Sequence, residues 1–325
     1  MINRTVQSFI NQRPTHNMPF GVFGGKSSKA LQKRPFGGKK VTSASEQVIE
    51  NAGGVWFKVQ GLVANGQRAV VQRASVNGSN AQIAIKTLPN ETDGKGTVLP
   101  REVLVMRMCE HPSVLAVKQV FYDPRNTFIC MVLYEGGNVL DRTVETGGIA
   151  EEDAVIVVED VLSALEHIHS RGIVHAAVEP SNIYLVSGDP LSPNFNHAVL
   201  GGLQRAKAQV LPAESKPGDL YYVSPELVDK FARVTGIEPA ADMWSLGATL
   251  YTMLSASPPF IKKSNSALPE LIKAGDFKFV SPFWDLTSRL AKDFIRFSRQ
   301  LIMCVAKYIY TYQRRMRASN SGVGA

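Results

Sequence analysis

Cysteine is scarce in this chain: Cys109, Cys130 and Cys304 are the only three in 325 residues. Three scattered thiols make neither a disulfide framework nor a zinc site, so they read as core residues, and a reducing compartment, the cytoplasm, is expected. Long apolar runs are missing as well. The run nearest the C-terminus, Leu301 to Ala306, has six residues, against the roughly eighteen that crossing a bilayer requires. No transmembrane helix is expected. Acid is absent from both ends, since residues 1–45 hold eight Lys or Arg, residues 307–325 hold four, and neither stretch holds an Asp or Glu. The formal charge of +8 would by itself point to nucleic acid or a membrane surface. The body between the ends, 46–306, carries 24 basic and 28 acidic residues, so the surplus belongs to the tails.

What is present divides the chain into three. Residues 1–48 contain a degenerate duplication, Pro19 to Lys26 and Pro35 to Lys39, set among Gly, Ser and basic residues, and read as a disordered basic leader. Its lack of acid gives it the bias of a targeting peptide, while its Gly and Pro content and weak amphipathic periodicity count against one. From Val55 the texture turns to short β-prone runs at Trp56–Val59, Arg68–Ala74, Gln82–Leu88, Phe121–Tyr122 and Thr127–Leu133, punctuated by turn residues such as Asn77-Gly78-Ser79-Asn80. One helix, around Arg101 to Cys109, interrupts them. After Gly137 the periodicity becomes helical: Val155, Val158, Val161, Leu162, Leu165 and Ile168 recur on one face of 150–170, and further helices are predicted at 241–254, 268–273 and 286–299. An α+β architecture follows, with a small β-rich lobe at about 55–134, a larger helical lobe at about 138–299, and a basic extension at 300–325.

The order of short motifs in 55–299 resembles the eukaryotic protein kinase superfamily. Ala84-Ile85-Lys86, Glu102, Glu135-Gly136-Gly137, Gly172 to His175, Pro180-Ser181-Asn182-Ile183, Ser224-Pro225-Glu226 and Asp242 to Gly247 occur in the family's sequence order. Leu140-Asp141-Arg142, Glu151 to Ala154, Ser281 to Asp285 and Ala291 to Ile295 look most like the calmodulin-dependent kinase group, although no D-x-D-x-D-G calcium loop is present. The resemblance implies a bilobal kinase fold and a nucleotide cleft between the lobes. It also assigns roles. Lys86 matches the phosphate-binding Lys of the small lobe and Glu102 its helix partner, a pair that also braces the lobe as an ordinary ion pair.

Beside those matches stand several departures. The Gly-rich phosphate loop falls on Ala64 to Val71, where only Gly66 of its three glycines remains, and Arg68 stands where the family has an aromatic tip. Cβ atoms on Ala64 and Ala69 restrict the close backbone approach that phosphate needs. The H-R-D-L-K-P-E-N loop reads His175-Ala176-Ala177-Val178-Glu179-Pro180-Ser181-Asn182. Ala177 therefore stands at the proton-accepting Asp, and losing a positioned base costs on the order of 10²- to 10⁴-fold in rate. Glu179 replaces the Lys that contacts phosphate and puts a like charge there. His175 resembles a loop-supporting residue rather than a base. Gly201-Gly202-Leu203 falls on Asp-Phe-Gly, so the carboxylate that holds Mg²⁺ is missing, and Asn182 alone, a neutral amide, does not hold a hard dication. No Asp or Glu between Pro190 and Ala213 replaces it.

The resemblance thus implies a fold without its chemistry, a pseudokinase. No catalytic or metal residue is assigned. Lys86, Glu102, Gly66 and Asn182 form a vestigial nucleotide site that requires no cofactor and would at most take ATP without Mg²⁺. The expected partner is another protein, such as an active kinase or its substrate. Two rivals remain open at this point: a weak kinase using Glu179 as an improvised base, and a carrier whose basic tails bind lipid or nucleic acid. One further departure concerns the fold. After Arg299 the family's D-P-x-x-R pattern is absent, which leaves Glu226 of Ser-Pro-Glu without its usual Arg and marks the end of the large lobe as atypical.

Overall fold

A computed structural model describes residues 48–50, 54–66, 69–77, 81–92, 97–98, 100–208, 220–228, 239–261, 268–281 and 284–300. Arg68, Cys304 and the segment from Tyr308 to Arg317 lie outside them. The first lobe is a six-stranded antiparallel sheet with strand order β1-β2-β3-β4-β8-β7. Its strands are β1 (Val48–Glu50), β2 (Trp56–Asn65), β3 (Val70–Val76), β4 (Gln82–Pro89), β7 (Val117–Tyr122) and β8 (Asn126–Val132). A small ladder of β5 (Glu91–Thr92) and β6 (Thr97–Val98) leads into α1 (Arg101–Met108). The expected strands are all present. The boundary of the leader needs correction, because Val48–Glu50 pairs with Trp56–Lys58 and seats Ile49 in the core of this lobe. A three-residue strand with one inward side chain carries too little pattern to be legible against a polar leader.

Strand alternation decides which face of the sheet meets the cleft. On β4, Ile83 and Ile85 join Phe57, Phe121 and Phe128 in an outer core with stacked rings, while Ala84 packs with the α1 residues Val103 and Met106 on the opposite side. Lys86, two residues beyond Ala84, shares that side. Cys130 is buried in the outer core and Cys109 in the inner one, both as free thiols.

The second lobe is built on helices: α2 (Val139–Thr146), α3 (Glu151–His169), α4 (Pro225–Val228), α5 (Ala240–Ser255), α6 (Leu268–Ala274) and α7 (Arg289–Gln300). Helix α2 begins where the Asn138 side chain accepts the amide of Asp141 and ends at Gly147 in the left-handed region, a conformation without steric cost for glycine. Helix α3 carries Glu151, Glu152 and Asp153 in its first turn, where acid complements the helix dipole. Every residue of α5 from Ala240 to Met253 is buried, so this helix is the axis of the lobe rather than an amphipathic cover. Helix α7 places Ala291, Phe294 and Ile295 in the main core, and Glu151 accepts both the amide and the hydroxyl of Ser288 just before it. Between α3 and α5 run the short strands β9 (Ile173–Val174), β10 (Ile183–Leu185), β11 (Ala198–Leu200) and β12 (Lys207–Ala208), with β9 paired to β12 and β10 to β11. The α+β, two-lobed architecture is as expected. Among the described residues no helix is long and apolar enough to cross a membrane.

Candidate functional site

The site is assembled from four pieces of backbone: the β2–β3 turn, β4 with α1, the loop 175–182, and the residues after β11. The β2–β3 ladder runs to Ala64 opposite Val71 and Asn65 opposite Val70, and the amide of Gly66 donates to the carbonyl of Ala69 at 2.9 Å. That amide is consequently engaged within the turn, and Gly66 offers no free donor to a phosphate.

On the inner side of β4, the Lys86 ammonium donates to the Glu102 carboxylate of α1, as the sequence implies. Both are largely withdrawn from water, with side-chain exposures of 16% and 9%. The pair joins sheet to helix whatever else it does.

The loop 175–182 is held from below by α5. The Asp242 carboxylate, fully buried, accepts the amides of His175 and Ala176 at 2.8 Å each and meets His169 Nε2 at 2.7 Å. These bonds hold Ala176 at φ +59°, a left-handed conformation that costs a non-glycine residue roughly 1–2 kcal/mol. His175 is fully buried. Its Nε2 lies 2.7 Å from the Gly201 carbonyl and its Nδ1 accepts the Ala177 amide at 3.2 Å, which together fix the neutral tautomer protonated at Nε2. Burial pushes the imidazole below its ordinary pKa range, an effect that the charge of Asp242 only partly opposes. A neutral, doubly bonded imidazole is a structural brace, as its position in the loop implied.

The upper side of the same loop has no proton acceptor at its centre. Ala177 is 4% exposed, its amide is spent on His175, and its carbonyl accepts Asn182 Nδ2 at 2.9 Å. Glu179 is buried and its Oε1 accepts the hydroxyl of Ser181 at 2.9 Å. The amide of Asn182 is folded back on its own loop.

The residues after β11 complete the picture. Gly202 is left-handed, at φ +76°, and a Cβ there would stand 2.3 Å from Asn182 Cγ. Gly201 is equally enclosed, since a Cβ on it would meet Tyr184 Cε2 at 2.6 Å and Leu115 Cδ2 at 3.1 Å. Neither position has room for a carboxylate in this arrangement. A magnesium ion does not fit these residues, and no group of three or more His, Cys, Asp or Glu side chains suited to a metal occurs among the described residues. Tyr184 carries no role in the motif reading. The signal for it was the alternation in Ile183-Tyr184-Leu185, in which two buried aliphatics force the central side chain toward the cleft.

Glu226 sits on α4 with both carboxylate oxygens buried and without a hydrogen-bond partner among the described residues, in keeping with the missing Arg of the lobe's end.

Comparison with known proteins agrees with this geometry. A sequence profile described as "Protein kinase domain" matches residues 57–302. Calcium/calmodulin-dependent protein kinase type 1B of Rattus norvegicus is 33% identical over 243 residues, covering 74% of this chain and 68% of the rat protein. Type 1 of Macrobrachium nipponense is 30% identical over 280 residues, covering 83% of this chain and 77% of its own, and human type IV is 29% identical over 259 residues, covering 79% and 53%. The chain belongs to the protein kinase family, within its calcium/calmodulin-dependent group.

Proposed function

We propose that this chain is a catalytically inactive member of its family that acts by binding another protein, as a scaffold or as an allosteric regulator of an active kinase. The observation that carries the reading is Ala177: at the centre of the loop where a carboxylate would accept the hydroxyl proton stands a methyl group, with its backbone amide and carbonyl both bonded within the loop. Phosphoryl transfer needs positioning and charge neutralisation more than covalent chemistry, so a missing base, a missing metal carboxylate and a closed phosphate turn remove most of what the protein supplies. Glu179 is a poor substitute base, being buried in the loop and already accepting the hydroxyl of Ser181.

The Lys86–Glu102 pair has a sufficient role here as the brace between sheet and helix. The site needs no Mg²⁺, and ATP is not required for the binding role. The free, buried thiols of Cys109 and Cys130 suit a reducing compartment. Purified full-length protein incubated with ATP, Mg²⁺ or Mn²⁺ and a generic basic substrate is expected to transfer no phosphate above the uncatalysed level. Transfer that disappears in Lys86→Met would overturn the proposal.

A further inference from the structure

We infer that Tyr184 closes the phosphate end of the interlobe cleft, its ring standing against Gly201 in the space that a metal-binding carboxylate and its ion would need. The inference rests on the family assignment and on the inactive reading above, and adds a cause: the cleft is not merely short of ligands, it is filled.

The geometry is set by β10. Ile183 and Leu185 are fully buried in the large lobe, so alternation turns Tyr184 to the opposite face, which is the face of Val199 on the paired strand and of Gly201 two residues further on. The ring then lies flush with the backbone of Gly201, with Cε2 and Cδ2 at 2.6 and 3.1 Å from where a Cβ would be. Leu115 closes the other side of the same glycine at 3.1 Å, its amide bonded to the Leu200 carbonyl, so position 201 is held between two side chains. The carboxylates of Glu102 and Glu179 lie close enough to the phenol to act on its charge. Burial first, and then the charges of Glu102 and Glu179, push its pKa up to about 12. A neutral hydroxyl suits that place. It presents no charge to either carboxylate.

Tyr184 and Gly201 therefore form a size-matched pair, in which a large ring is possible only because its neighbour has no side chain. Restoring a carboxylate at 201 alone would leave no metal site, because the ring occupies the room. Reopening the cleft requires shortening Tyr184.

The test measures the thermal unfolding of the full chain, wild type and Tyr184→Leu, with EDTA and millimolar ATP, and with millimolar adenosine as the phosphate-free control. Ligand that binds only the native state must raise the midpoint by mass action. Tyr184→Leu is expected to gain about 2 °C or more with ATP beyond any adenosine shift, where the wild type gains none. An equal ATP shift in both proteins, or none in the variant, overturns the inference. A second reading uses no ligand. Gly201→Ala is expected to lower the midpoint by about 3 °C or more in the wild-type background and by clearly less beside Tyr184→Leu, since the ring makes the closest contact with the added methyl and Leu115 only a looser one. If Tyr184→Leu does not fold, an unchanged midpoint in Gly201→Ala alone is enough to overturn it. Phosphate transfer by the wild type would instead overturn the inactive reading, whatever the binding experiment shows.

Discussion

The loop 175–182 has two sides, and they differ in kind. Its lower side, toward α5, is saturated: Asp242 accepts two backbone amides and pairs with His169, and His175 bridges Ala177 to Gly201. Its upper side, toward the cleft, presents a methyl group at Ala177, a buried carboxylate at Glu179, and beyond them a tyrosine ring packed on glycine. The bonds that shape a catalytic loop and the groups that do its chemistry are therefore separable. A backbone amide bonded to Asp242 is indifferent to whether residue 177 carries a carboxylate.

The separation is broken most directly from below. Asp242→Ala should remove the acceptor of three donors in a fully buried place and release the left-handed Ala176, at a cost of about 3–5 kcal/mol in denaturant unfolding. A loss below 1 kcal/mol would mean that α5 does not hold the loop. A smaller effect is expected at the Lys86–Glu102 pair. Lys86→Met leaves Glu102 withdrawn from water without its cation, and should cost about 1–3 kcal/mol of stability. The double variant Lys86→Met, Glu102→Leu should recover part of that cost, because removing both charges also removes the desolvation penalty.

The imidazole of His175 makes the lower side sensitive to pH. Its pKa is depressed by burial in the folded protein, so as the pH falls the unfolded chain takes up the proton first. Stability from this group is therefore complete above the unfolded value of about 6.5 and declines as the pH falls below it. The urea midpoint should drop between pH 7 and pH 5, and less steeply in His175→Gln. A slope unchanged in that variant would remove His175 from the explanation. The smallest effect is expected on the upper side. Ala177→Asp should leave phosphate transfer at background, because Gly201, Tyr184 and the closed β2–β3 turn are unaltered. A transfer rate raised tenfold or more by that single change would show the upper side to be one residue short of active.

Much of this was legible in the residues taken one at a time. Lys86 pairs with Glu102 and His175 bonds within its loop as their places in the motif order imply, and Ala177 and Gly201 are departures visible from position alone. The six-stranded sheet lacked only Val48–Glu50, whose single inward residue, Ile49, is too short a pattern to separate from the leader. Tyr184 is the instructive omission. A motif comparison sees that an aspartate is missing at 201, but it has no means of seeing that a side chain from a different strand has taken the space. That knowledge depends on the register of β10 with β11, which puts Tyr184 beside Val199 and so on the same face as Gly201.

The family, the order of elements and the side chains available at each position of the loop can be read from the residues alone, because these depend on residue type, local periodicity and spacing. The tertiary structure alone decided how the gaps were filled. Whether glycine at 201 leaves a void or admits a ring, and whether Asn182 points to the cleft or back to Ala177, are questions of packing between segments distant in the chain. Close packing settles them through contacts that no local pattern records.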